Sequence, residues 1–221
     1  MNVSVRDPIL DEYKAKKETH EAFCKKIEVL LTDIIEQKTI NCHSIESRVK
    51  KELSLENKVK NANGKYSTLS DITDVSGIRI ITYFSEDVDS IASIIHNEFD
   101  IDQTNSVDKR EKLDADRFGY LSLHYVVKLK SNRVELPEYS RFKELKVEIQ
   151  IRSILQHAWA EIEHDLGYKT KQSIPRVVRR DFSRLAGLLE IADEEFVKIR
   201  EKLNNYNESV REEKKETPSK V

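Results

Sequence analysis

The chain has 221 residues, long enough for one sizeable domain with helical additions. Its 38 basic and 40 acidic residues leave a formal charge of −2, so no polyanionic partner follows from charge alone and any nucleic-acid contact needs a local basic patch. Cys24 and Cys42 match no metal-ligand spacing, no apolar run approaches the roughly 18 residues of a membrane span, and MNVSVRDPIL lacks a secretory leader. A soluble cytoplasmic protein with reduced thiols and no membrane partner is expected.

Residues 9–37 read as a helix, with Ile9, Tyr13, Phe23, Ile27, Leu30, Leu31, Ile34 and Ile35 as apolar positions. A polar stretch follows to about Thr73, with Asn61-Ala-Asn-Gly64 as a turn signal. Its basic residues Arg48, Lys50, Lys51, Lys58 and Lys60 suit either a solvated helix face or a grip on polyphosphate. Asp71–Phe84 opens with acids and becomes a β-branched run too apolar to expose both faces. Asp74 stands at the entrance of that strand, three residues before Gly77. Asp87 is placed to cap the next helix, whose buried stripe is Val88, Ile91, Ile94, Ile95 and Phe99. A short strand at Ile101–Thr104 and a charged loop at Asn105–Arg117 come next.

In Arg117-Phe-Gly-Tyr-Leu-Ser-Leu-His-Tyr125, Gly119 permits an unusual turn and close approach of a ligand. Tyr120 from the loop and His124 from the following strand both reach an open site, or else serve as a hydrophobic plug and a surface residue. Residues 131–145 read as a hairpin loop containing Pro137. Lys146–Lys169 then changes period. Val147, Ile149 and Ile151 alternate with Glu148, Gln150 and Arg152, a half-buried strand. Leu155, Ala158, Trp159, Ile162 and Leu166 follow at helical spacing as one apolar stripe. A last helix begins at about Arg176, basic at Arg176, Arg179, Arg180 and Arg184, and runs with a break to Asn207. The tail from Glu208 has too little apolar content to pack and is expected to fray.

Three acids at strand ends, Asp71, Asp74 and Glu148, suggest a divalent cation with oxygen ligands, Mg²⁺ being the natural one beside phosphates. His157, Glu161 and His164 share one helix side, but a di-iron site needs a second such motif, so they read as polar residues bracing the sheet. The sequence contains no Walker or dinucleotide glycine loop and no nucleophile elbow. Lysines and arginines, two carboxylates and an aromatic loop suit phosphoryl transfer, in which positioning and charge neutralisation dominate.

Asp-Val-Ser-Gly-Ile-Arg (74–79), Gly-Tyr-Leu-Ser-Leu-His (119–124), Val-Glu-Ile-Gln-Ile-Arg (147–152) and the Glu-His…Tyr-Lys ending (163–169) resemble the RelA/SpoT alarmone synthetase domain, in its small single-domain form. Arg48-Val49-Lys50, with Lys58 ten residues after the arginine, is similar to that family's donor-binding segment. The resemblance implies an α+β fold, a nucleotidyltransferase-like mixed sheet flanked by helices, with N- and C-terminal helical extensions. The chain then divides into an N-terminal helical segment (1–44), a synthetase core (45–170), C-terminal helices packed on the core (171–207) and the tail (208–221).

The resemblance further implies transfer of pyrophosphate from ATP to a ribose 3′-hydroxyl of GDP or GTP, with AMP released. Asp74 and Glu148 would hold Mg²⁺, with Glu148 also orienting or deprotonating the attacking hydroxyl. Arg48, Lys50, Lys58 and Arg79 would bind ATP, and Tyr120, His124, Gln150 and Arg152 would serve the acceptor. Leu121 and Tyr125 depart from the housekeeping and long enzymes, so the acceptor is either a free guanine nucleotide or a tRNA 3′ end. The second alternative is the reaction of toxic small synthetases, which implies an antitoxin partner and an RNA grip from Lys51, Lys60, Arg176, Arg179 and Arg180. A homo-oligomer is also compatible, and an inactive RNA-binding or regulatory module is the reading from outside the enzymes. The retention of both Asp74 and Glu148 speaks against that last one.

Overall fold

The computed structural model describes residues 7–108, 122–169 and 175–216. Helix α1 spans Pro8–Gln37. Asp7 caps it by accepting from the Ile9 amide at 3.0 Å, and Pro8 sits where no amide is needed. The expected apolar stripe is buried at Ile9, Tyr13, Phe23, Ile27, Leu30, Leu31 and Ile35.

Strand β1 follows at Cys42–Val49, inside the stretch read from sequence as polar and without strand character. Its exposure alternates along its length, and Cys42 and Ile45 pack on the core. An edge strand needs only one apolar face, so its composition stays polar. Helix α2 spans Glu52–Asn61 and ends in the predicted turn, where Asn63 and Gly64 take φ of 48° and 81°. A single 3₁₀ turn at Leu69–Asp71 leads to β2, Ser76–Thr82. Helix α3 runs Ser85–Glu98 with Phe84 as its cap residue. Asp87 therefore lies inside the first turn and does not cap the helix; its carboxylate accepts from Arg200 at 2.7 Å.

Strands β3 (Phe99–Ile101), β4 (Val107–Asp108) and β5 (Leu123–Leu129) come next. Two helical turns, α4 at Ser131–Val134 and α5 at Pro137–Ser140, fill the segment expected to be a hairpin loop. Pro137 opens the second, as its locked φ favours. Strand β6 spans Val147–Ser153 and runs directly into α6, Ile154–Lys169. Helix α7, Arg176–Glu216, is continuous over 41 residues, so it neither breaks before Asn207 nor loses its helix at Glu208.

The sheet is six-stranded and mixed, in the order β1-β2-β6-β5-β3 with β4 beside β5. Strands β2 and β6 are parallel; the other pairs are antiparallel. One face carries Ile78, Ile80, Leu123, Val127, Val147, Ile149 and Ile151 against α1 and α3 in one continuous core. Each such residue contributes about 1.5–3 kcal/mol by leaving water. Because side chains alternate, the other face is left to the residues between them. Among the described residues no helix is long and apolar enough to cross a membrane.

Candidate active site

On β6 those intervening residues are Glu148, Gln150 and Arg152, and they form a ladder. Gln150 donates to Glu148 Oε2 at 2.9 Å through its amide nitrogen and accepts from Arg152 Nη2 at 2.9 Å through its oxygen. The strand is more buried than a half-exposed reading predicts: Gln150 and Arg152 are only 9% and 7% exposed. The cause is its central position, between β2 and β5, with α6 folding back over the end.

The parallel register sets Gly77 beside Glu148 and Arg79 beside Gln150, while the antiparallel one sets His124 opposite Gln150. His124 Nδ1 lies 3.3 Å from Glu148 Oε1, and its Nε2 lies 2.7 Å from the Ser122 hydroxyl. Burial pushes the Glu148 carboxyl up, but the hydrogen bonds and charge of His124 and Gln150 outweigh it and hold the group below its ordinary 4.5. The negative charge of Asp74 opposes this, so the two carboxylates sense each other.

Asp74 waits at the mouth of β2 between two ammonium groups, Lys50 at 2.7 Å and Lys58 at 2.8 Å. Here too burial raises the carboxyl and the lysines more than reverse it, so Asp74 stays ionised. Lys50 and Lys58 thus turn inward from a segment whose other lysines remain outside: Lys51 is exposed, and Lys60 pairs with Glu56 at 2.5 Å on the helix surface. The strand ends are fixed from the core side. The Tyr13 hydroxyl donates to the Lys50 carbonyl, Cys24 Sγ to the Arg48 carbonyl at 3.3 Å, and His20 Nδ1 meets the Ser76 hydroxyl at 2.8 Å.

Arg48, opposite Gly77, lays its side chain across β2. A Cβ at Gly77 would stand 3.4 Å from both Cγ and Nε of Arg48, so the arginine passes in van der Waals reach of this position. Arg48, Arg79 and Arg152 form one cationic cluster. Burial, reinforced by the like charge of Arg79 and then of Arg48, lowers Arg152 to about 10. Three guanidinium groups gathered in this way suit an anion of several charges.

The polar side of α6, expected to brace the sheet, meets it at a cation of β2. Glu161 of α6 reaches Arg79 Nη1 at 3.3 Å and His157 Nδ1 at 3.7 Å, so the helix braces the cationic cluster. Their i, i+4 spacing was visible, but the partner on β2 was not. Asp71 takes the opposite course: its carboxylate accepts from the Ser67 and Thr68 amides at 2.8 and 2.9 Å, which makes it a local capping residue and removes it from the metal set. Tyr120, Gly119 and Leu121 lie outside the described residues. Arg176, Arg179 and Arg180 are exposed on the first turns of α7.

Comparison with known proteins identifies the family and the fold. A family model described as a region found in RelA / SpoT proteins covers residues 47–173. GTP pyrophosphokinase YjbM of Bacillus subtilis (strain 168) is 30% identical over 157 residues, 71% of this chain and 71% of that protein. GTP pyrophosphokinase YwaC of the same organism is 27% identical over 161 residues, 72% of this chain and 73% of that one. Among solved structures, small alarmone synthetase 1 from Bacillus subtilis superposes with a TM-score of 0.71 at 25% identity, covering 88% of this chain and 99% of that one. A GTP pyrophosphokinase family protein from Streptococcus pneumoniae gives 0.70 at 26% identity, covering 88% and 96%. The nucleotidyltransferase-like sheet expected from the motifs is therefore the fold found. Since the matched residues run from before Arg48 to beyond Glu161, the whole of the site above falls within them, and the chain belongs to the RelA/SpoT family.

Proposed function

We propose that the chain is a GTP pyrophosphokinase: it moves the β,γ-pyrophosphate of ATP onto the ribose 3′-hydroxyl of GDP or GTP and releases AMP. The observation that carries this reading is Glu148, an ionised carboxylate held between an acceptor-side imidazole and a donor-side ladder ending in three arginines. The relatives named GTP pyrophosphokinase support the same substrate class.

Asp74 and Glu148 fit a hard divalent cation, since both are ionised oxygen donors and each senses the other's charge. Among the described residues no cluster of three His, Cys, Asp or Glu side chains offers a rival site. When bound there, Mg²⁺ supplies charge neutralisation on the phosphates being transferred. The remaining work falls to the chain. Lys50 and Lys58 release Asp74 and turn to phosphate oxygens as ATP arrives. Arg48 and Arg79 hold the adenine end or the phosphates, and Arg152, which sits with them, belongs in this reading to the donor side.

Glu148 accepts the hydrogen bond of the 3′-hydroxyl and directs it at the β-phosphorus. The new O–P bond forms as the α,β-bridging bond breaks, AMP leaves with the electron pair, and the hydroxyl proton passes to Glu148. The lowered pKa of the free carboxyl favours aligning the hydroxyl over early proton removal. Ser122 and Gln150 fix His124 and Glu148 in place, and Tyr120 would stack on the guanine. The cytoplasm, which supplies both nucleotides, is the compartment this reaction requires.

The test uses purified protein, Mg²⁺ and ATP labelled on the γ-phosphate, with GDP, GTP and bulk tRNA in separate tubes. Label on the guanine nucleotide with AMP released is expected. Label on tRNA alone overturns the guanine-nucleotide reading, and directs attention to Lys51, Lys60, Arg176, Arg179 and Arg180 as backbone contacts and to an antitoxin. No transfer to any acceptor overturns the enzyme reading.

A further inference from the structure

We propose that the side of α6 facing β2 reads the base of the donor nucleotide: Glu161, with Arg79 and Arg152, recognises a 6-aminopurine and rejects a 6-oxopurine. The inference rests on the pyrophosphokinase reading, which makes ATP the donor and a guanine nucleotide the acceptor. That reaction sets a problem for its own donor site. The acceptor GTP is itself a purine triphosphate, so phosphate contacts alone would let it take the place of ATP.

Position comes first. Asp74, Lys50 and Lys58 gather at the mouth of β2, and Glu148 lies beside Gly77 near that end. Gln150 and Arg152 stand about 7 and 13 Å farther along β6 from Glu148. A nucleotide held by its phosphates at the first end therefore extends its base toward the second. Arg79 is the register neighbour of Gln150 there, and α6 begins directly after Ser153 and returns over it. Glu161 and His157 are the α6 side chains that meet this end.

Three buried nitrogen atoms at this end have no hydrogen-bond partner among the described residues: Arg79 Nε, Arg152 Nε and His157 Nδ1. Buried polar atoms left in this state are rare and costly, and they mark a place that a ligand completes. Beside them stands an acceptor. Glu161 approaches Arg79 Nη1 at 3.3 Å and His157 Nδ1 at 3.7 Å, both through Oε1. Its side chain is 54% exposed, which leaves Oε2 open to a molecule arriving from solvent. Burial, then the charges of Arg79 and Arg152, lower His157, so its imidazole is neutral and adds no rival cation for Glu161.

A carboxylate acceptor next to guanidinium donors is the complement of an adenine edge, where the N6 amine donates and N7 accepts. A 6-oxopurine presents two acceptors there, and its O6 would face the Glu161 carboxylate with no proton between them. The plain alternative is an ion pair that only braces α6 on the sheet. That alternative predicts equal weakening of every donor base when Glu161 loses its charge, and this difference separates the two.

The test measures binding of the α,β-methylene analogues of ATP and ITP, which cannot transfer, by equilibrium dialysis with Mg²⁺ and excess GDP to fill the acceptor site. The wild type is expected to bind the adenine analogue about tenfold or more tighter than the inosine one. Glu161→Gln, whose amide can also donate to O6, should bring the two within about threefold of each other. The purine riboside analogue, with hydrogen in place of the 6-amine, should bind the wild type several-fold more weakly than the adenine analogue; this arm needs no variant. A wild type that binds all three alike, or none, overturns the proposal. So does a Glu161→Gln chain that weakens both nucleotides equally and keeps their ratio. Selective binding of the adenine analogue with no transfer from ATP itself overturns the pyrophosphokinase reading and leaves the base recognition standing.

Discussion

The two faces of the sheet are built from the same strands and behave as different materials. On one, Ile78, Ile80, Ile149 and Ile151 are 1% exposed or less and join the apolar core with residues of α1 and α3. On the other, one residue away in each strand, Glu148, Gln150 and Arg152 form a hydrogen-bonded array, and Arg79 beside it pairs with Glu161 of α6. The difference shows how a strand period of two separates stability from chemistry without separating them in space. The apolar face fixes the backbone, and the backbone fixes where the charges stand. A one-residue slip of register would exchange the roles of both faces.

That separation is broken most severely from the polar side. Glu148→Gln should lower kcat by about a thousandfold while the thermal midpoint stays close to wild type, since the change is isosteric and leaves the apolar face untouched. Turnover assays beside a thermal melt check this; unchanged turnover would remove Glu148 from the mechanism. The converse cut is Ile149→Ala, one position away. It should cost about 2–5 kcal/mol in urea unfolding, with turnover per folded molecule largely kept.

A pH experiment sharpens the comparison, because only the polar face titrates. Asp74 has a folded pKa below its ordinary 3.8, so its ion pairs with Lys50 and Lys58 contribute their full stability above that value. That contribution disappears as the pH falls through the lower, folded value. Asp74→Asn should therefore destabilise at neutral pH and flatten the acid limb of the stability profile, whereas Ile149→Ala shifts the whole profile without changing its shape. Denaturant midpoints across the acid range distinguish the two. The smallest effect is expected for Glu161→Gln. The Glu161 side chain is 54% exposed, and an ion pair so wetted is worth at most about 1 kcal/mol, so KM for ATP should rise no more than about fivefold with kcat retained.

Much of the site could be read along single segments. Glu148, Gln150 and Arg152 announced themselves by alternating with valine and isoleucine, and Asp74 by standing before a strand; the structure links the three on β6 in a ladder and sets Asp74 near enough for Glu148 to feel its charge. Strand β1 was missed because an edge strand alternates polar with weakly apolar residues, a pattern that HSIESRV shares with a surface helix. Asp71 was grouped with the metal carboxylates because proximity to a strand end is all the sequence displays. Its commitment to two local amides depends on a 3₁₀ turn that only folding creates. The apolar stripe of α6 was legible as a spacing, yet Ile162 and Leu166 are 52% and 51% exposed, since burial depends on what packs opposite and spacing does not record it.

The periods are written into the chain alone: which segments are helix or strand along most of its length, which strand faces are apolar, and which motifs assign the family. Local geometry suffices for these, because side-chain direction repeats every two or 3.6 residues whatever the rest of the chain does. Which charges meet is set by folding. Lys50 and Lys58 close on Asp74 from 24 and 16 residues away, and Glu161 reaches Arg79 across 82, pairings set by strand order and helix crossing. Electrostatic partners are chosen by distance in space, and chain spacing carries no record of it.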